Sequence, residues 1–184
     1  MRHSNLMILI IGATFLFFSC SKDNSSLTPD LNQSDQETTS LKAKKVNTHF
    51  TGVCTPLFHP DWPAPNTWYD DTDDVRVTGV SIWVNESEVQ IDEITFELSG
   101  TAELFVGAEE FSDIGDGNYD GKWDISWRGT QIMKSDGFMI VAHATGTGTE
   151  GDVAGLTAKW KYTMNFDGTA PPMYVTEGKI TETQ

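Results

Sequence analysis

Between residues 156 and 166 the apolar side chains fall on every second position. Leu156, Ala158, Trp160, Tyr162, Met164 and Phe166 alternate with Thr157, Lys159, Lys161, Thr163 and Asn165. Successive side chains of an extended chain point to opposite faces, so this period predicts a long, half-buried strand. Trp123, Ile125 and Trp127 alternate with Asp124, Ser126 and Arg128, and Phe138, Ile140, Ala142 and Ala144 with Met139, Val141, His143 and Thr145, which predicts two more. Val75 and Val77 share a parity that passes to Val80, Ile82 and Val84 after Gly79, as in a strand bent or bulged at that glycine. Val89-Ile91 and Ile94-Phe96-Leu98 switch parity around Asp92-Glu93, and Ala102-Leu104-Val106 follows Ser99-Gly100. No window of ten residues carries a helical stripe. Strands separated by Asp-Gly, Ser-Gly and glycine-rich turns predict an all-β meander closed into a barrel or folded as a sandwich.

The start of the chain is of another kind. Met1-Arg2-His3 is cationic, residues 6–18 are mostly apolar, and Ser19-Cys20 ends the run before Ser21-Lys22-Asp23. Such a run is too short for a bilayer that needs about 20 apolar residues, so residues 1–19 are expected to be a cleaved signal peptide. Phe17-Phe18-Ser19-Cys20 resembles the lipobox of bacterial lipoproteins, with Phe17 where Leu is more usual, and Ser21-Lys22-Asp23-Asn24 resembles the surface-export signals of Bacteroidota lipoproteins. The resemblance implies acylation of Cys20, by palmitate or similar chains, and a protein of the cell envelope held on the outer membrane by its lipid. Two or three acyl chains give stable anchoring where one gives only marginal binding. Residues 20–43 are rich in Ser, Thr, Asn, Gln and Asp, with few large apolar residues, and are expected to be a disordered polar tether reaching on the order of 25 Å. Residues 44–184 remain for one domain.

Charge and glycine spacing remove several functions. With 12 Lys and Arg against 27 Asp and Glu, the net charge is −15, and no basic run exceeds Lys44-Lys45. A nucleic-acid binder must gather cations against phosphates, so no nucleic-acid partner is expected. Gly146-x-Gly148-x-x-Gly151 matches a dinucleotide fingerprint, but the residues after it alternate as a strand, whereas the fingerprint must open a helix. A glycine-rich connection between strands is expected there, and no nucleotide. Cys54, the one free thiol once Cys20 is acylated, is expected to be a small core residue.

Trp127-Arg128-Gly129-Thr130, then Ala144-Thr145-Gly146-Thr147-Gly148, Gly151 and Gly155-Leu156 are similar to the cadence of antiparallel barrels of the allene oxide cyclase and dirigent kind. The resemblance spans about 60 residues of turn glycines and core aromatics. It implies a single up-and-down, calycin-like barrel, and it transfers no catalytic residue.

Four groups of residues are candidates for chemistry. Asp116, Asn118, Asp120 and Asp124, with the carbonyl of Lys122 and Gly121 at the turn, follow the order of a calcium loop, although Trp127 stands where a bidentate Glu belongs and Asp113 would have to supply a carboxylate. The alternative is a hairpin turn. Asp70, Asp71, Asp73 and Asp74 would coordinate a hard cation or repel one another on a solvated loop before the Val75 strand, and the loop is the expectation. Trp62 and Trp68 flank a proline-punctuated segment and would stack on a sugar or cap the barrel. His49, His59 and His143 lack metal-ligand spacing, and no Gly-x-Ser-x-Gly elbow is present. The expectation is a lipid-anchored envelope protein whose barrel is non-catalytic and binds a small ligand, a glycan or an envelope component, with no cofactor except calcium. The alternatives are a small isomerase or cyclase with His143 and an acid in its cavity, and a calcium-dependent adhesive module.

Overall fold

The computed structural model describes residues 44–57 and 66–183. Their eight strands are β1 (Lys45–Pro56), β2 (Thr67–Thr72), β3 (Gly79–Gln90), β4 (Thr95–Val106), β5 (Gly121–Lys134), β6 (Gly137–Gly151), β7 (Thr157–Phe166) and β8 (Tyr174–Thr183). Each pairs antiparallel with the next, and β8 pairs back onto β1, so the sheet is a closed barrel in sequence order. Closure gives every strand a neighbour on both sides, although β2 is short and β3 beyond Trp83 pairs only with β4 among the described residues. Because the strands alternate in direction, the chain enters β1 at the same end as residues 73–78, 107–120 and 152–156.

Register fixes what faces inward. Trp160 lies opposite Ala144 and Gly178, Tyr162 opposite Ala142 and Thr176, and Trp123 opposite Leu104 and Gly148. Each of these large rings thus faces a small residue on at least one neighbouring strand. A Cβ added to Gly146 would lie 2.5 Å from the Trp160 ring, and one added to Gly178 would lie 2.4 Å from Phe50. Gly146 and Gly148 are therefore part of β6, where the first makes room for the Trp160 ring and the second for the backbone of Val153, and are not the connection between strands that their spacing suggested. Of the three glycines at 146, 148 and 151, only Gly151, at φ 58°, needs the left-handed region that glycine tolerates.

Three further sequence expectations give way. Val75–Val77 is a 3-10 turn and not a strand, because the Asp74 side chain accepts from the Arg76 amide and draws the backbone into a local turn. Val77 is buried in the core, whereas Val75 is 79 % exposed. The bulge in β3 lies between Asn85 and Ser87, which is where the inward parity changes. Before β5 the chain does not turn as a simple hairpin. It forms a short helix, α1 (Phe111–Asp116), in which Asp113 accepts from the Glu109 and Glu110 amides and Gly117 closes the C-terminus with φ 73°. Ile114 and Tyr119 of this connection pack with Val80 and Phe105 on the outside of β3 and β4.

Candidate functional site

The lumen is filled. Trp123 and Trp160 meet edge to face at 5.5 Å, Phe50 and Trp160 at 6.2 Å, and Trp83 and Tyr162 at 5.0 Å, with Leu104 and Ile180 between the strands at 0 % exposure. The Trp123 indole donates to the Arg76 carbonyl at 2.7 Å, tying the core to the 3-10 turn, and Arg76 is held in turn by Asp74 and Glu182. Among the described residues, an isomerase or cyclase cavity has no room where these rings meet.

Within that packing lies one buried carboxylate. Asp70 sits on β2 opposite Cys54 of β1 and Gly79 of β3 and is 2 % exposed, so it does not belong to a solvated loop. Ser81 donates to its Oδ2 at 2.6 Å, Tyr162 to its Oδ1 at 3.2 Å, and the Cys54 thiol adds a third hydrogen bond. The Trp83 indole donates to Ser81 Oγ at 3.0 Å, which leaves that hydroxyl free to donate to the carboxylate. Burial pushes the Asp70 carboxyl up to about 6, while the hydrogen bonds from Ser81, Tyr162 and Cys54 pull it down. Burial, and then the charge on Asp70, holds the Cys54 thiol and the Tyr162 phenol well above their ordinary values, so both remain donors. Tyr174 is pushed up to about 12, chiefly by burial. Thr176 Oγ1 makes no hydrogen bond of good geometry, although it lies near enough to the Tyr162 hydroxyl to favour its ionised form slightly. The cluster is an enclosed polar network that holds a carboxylate in an apolar lumen.

The sequence-based candidates are dispersed. Cys20 and Trp62 lie outside the described residues. Trp68 is half-buried and packs edge to face on Tyr174 at 5.0 Å, capping the aromatic core. His143 is on the outward face of β6 and does not reach the lumen or its acid. Asp116 ends α1, Asn118 follows its cap, and Asp120 leads into β5, whereas Asp124 is inside that strand and opposite Glu103. The Lys122 ammonium lies between Glu103 at 2.6 Å and Asp124 at 3.2 Å, so this carboxylate already has a cation. Among the described residues no group of three or more His, Cys, Asp or Glu is placed to hold a metal ion.

What the fold does assemble is on the outer wall of β5, β6, β7, β8 and β1. In one row Arg128 lies opposite His143 and His143 opposite Lys161, which pairs with Glu177 at 2.9 Å. In the next row Lys159 lies opposite Lys179 and Lys179 opposite His49. Neither Lys159 nor Lys179 has a carboxylate partner among the described residues, and like charges placed opposite each other across a sheet destabilise it. Shallow depressions of about 410 and 320 Å³ flank the two lysines, the first lined by His49, His143 and Glu177 and the second by Lys45, Asn47 and Thr181. Lys179 and His49 escaped sequence reasoning because β1 and β8 show no clean apolar alternation. The lysines at 159 and 161 on the polar side of β7 were the visible signal. No family model, curated protein or solved structure matches the chain.

Proposed function

We propose that the chain is a lipid-anchored cell-envelope protein, held through Cys20, whose barrel is a non-catalytic recognition module that works through its outer wall. The Lys159–Lys179 opposition carries the reading: a folded chain of net charge −15 keeps cations side by side and unneutralised on one face. Ring packing in the lumen supports it, because a ligand then has the wall and not the interior to bind. The lipobox-like Phe17-Phe18-Ser19-Cys20 and the polar residues after it support the anchor.

Two measurements test the two halves. Metabolic labelling with a fatty acid is expected to mark the wild type and not Cys20→Ala, and label on both would remove the anchor. Titration of the purified protein against a panel of neutral and acidic glycans is expected to give saturable binding, and no binding to any member would remove the recognition role.

A further inference from the structure

Resting on that outer-wall reading, we propose that the wall binds an acidic polysaccharide, with uronate carboxylates or sulfate esters set against Lys159, Lys179 and Arg128. Adjacent strands are about 4.8 Å apart and alternate residues along a strand about 6.8 Å, so the two cationic rows form a grid roughly 19 Å wide across five strands. The chain has 27 acidic residues to distribute, yet within these rows only Glu177 appears, and it satisfies Lys161 alone. An external polyanion with regularly spaced charges would relieve the repulsion that the fold leaves in place.

The residues around the grid select the kind of polyanion. Ser126 and Thr145 continue the lysine row, and Thr157 stands in the row beyond it with the same outward parity, so short hydroxyl groups adjoin the charges where they can hydrogen-bond sugar hydroxyls, whereas the hydroxyls of Thr51 and Thr181 already donate to Asp73 and Asn47. A membrane-docking face would need a group of apolar side chains to insert, but of the exposed large apolar residues only Val89, beside Arg128, and Val175 reach the margins of the grid, on opposite sides of it. A nucleic-acid face would need rings on which bases stack, and none of the residues in the two rows is aromatic apart from the imidazoles.

Calorimetric titration of the full-length protein with polygalacturonate oligomers, dextran sulfate, neutral dextran and phosphatidylglycerol vesicles tests the proposal. The two acidic polymers are expected to bind with an affinity that falls as salt rises, and neutral dextran and vesicles to give no heat. The double variant Lys159→Glu/Lys179→Glu is expected to lose at least tenfold in affinity for both polymers, while Lys134→Glu, at the far end of β5, leaves it unchanged. The single variant Lys159→Glu is expected to weaken binding while raising the melting temperature, because it creates a cross-strand ion pair with Lys179. A binding loss from simple unfolding would move the two readouts together. Undiminished binding by the double variant overturns the proposal, as does binding to vesicles alone. A neutral glycan bound equally by wild type and double variant would overturn the acidic ligand and leave outer-wall recognition standing, whereas no glycan bound by the wild type would defeat both.

Discussion

The barrel holds charge in unfavourable positions in two places, and it treats them in opposite ways. In the lumen, Asp70 is enclosed by donors from three different strands: Ser81 at 2.6 Å, Tyr162 at 3.2 Å and the Cys54 thiol. On the outer wall, Lys159 and Lys179 oppose each other with no ion-pair partner among the described residues, the nearby Glu177 being paired with Lys161. The first arrangement is complete without anything from outside. The second is satisfied only by water or by a partner. The same fold thus satisfies one buried charge fully and leaves two surface cations without an ion-pair partner, and the proposed recognition role of the wall rests on that difference.

The largest expected effect strips the lumen of its carboxylate. Asp70→Ala leaves Ser81, Tyr162 and Cys54 without their acceptor and opens a small void, and at about pH 4.5 this is expected to cost about 3–4 kcal/mol in chemical denaturation. A change under about 1 kcal/mol would mean that the network contributes little.

Next comes the pH dependence of the same group. Its folded value of about 6 lies above the ordinary 3.8, so its favourable contribution is fully present below about pH 3.8 and is lost as pH rises through about 6. The difference amounts to about 3 kcal/mol. Other carboxylates titrate in the same range, so the contribution is read as the wild-type curve minus that of Asp70→Asn, which keeps the shape and removes the charge. The variant is expected to gain on the wild type between pH 4 and 7, and parallel curves would show that Asp70 does not carry this charge.

A third change tests whether the lumen is as full as the ring contacts indicate. Gly146→Ala drives a methyl group into Trp160, which Trp123 and Phe50 hold from other sides, and is expected to cost about 1–3 kcal/mol. A neutral result would reveal slack in the lumen and weaken its contrast with the wall. The smallest effect has the opposite sign. Lys159→Glu is expected to stabilise the barrel by about 0.5 kcal/mol, since a like-charge pair becomes an opposite one. Destabilisation would show that Lys159 is satisfied after all.

How much of this was legible in the sequence follows strand by strand. β5, β6 and β7 announced themselves because one face of each is buried against rings and the other meets water, so polarity alternates along the chain. β1 and β8 did not, since their inward faces carry Gly52, Cys54, Thr176 and Gly178, small residues of which Gly178 makes room for Phe50 and lies beside Trp160, and Thr176 lies beside Tyr162. β2 was hidden among four aspartates, and its inward Trp68 and Asp70 became meaningful only once register placed Asp70 beside Cys54. The barrel class was thus readable from period two. The Asp70 network was not, because the Tyr162 hydrogen bond to Asp70 alone spans 92 positions of the chain. The cationic wall was half visible in Lys159 and Lys161, and its other half depended on the closure of β8 against β7 and β1.

Backbone amide and indole NMR shifts of the labelled protein, followed as polygalacturonate oligomers are added, test the central claim most directly. The account expects perturbation of Arg128, His143, Lys159, Lys179 and His49, with the indole resonances of Trp123 and Trp160 unmoved. Shifts concentrated on those indoles and on Trp68, Trp83 and Tyr174, with a silent outer wall, would place the ligand in the lumen and contradict it.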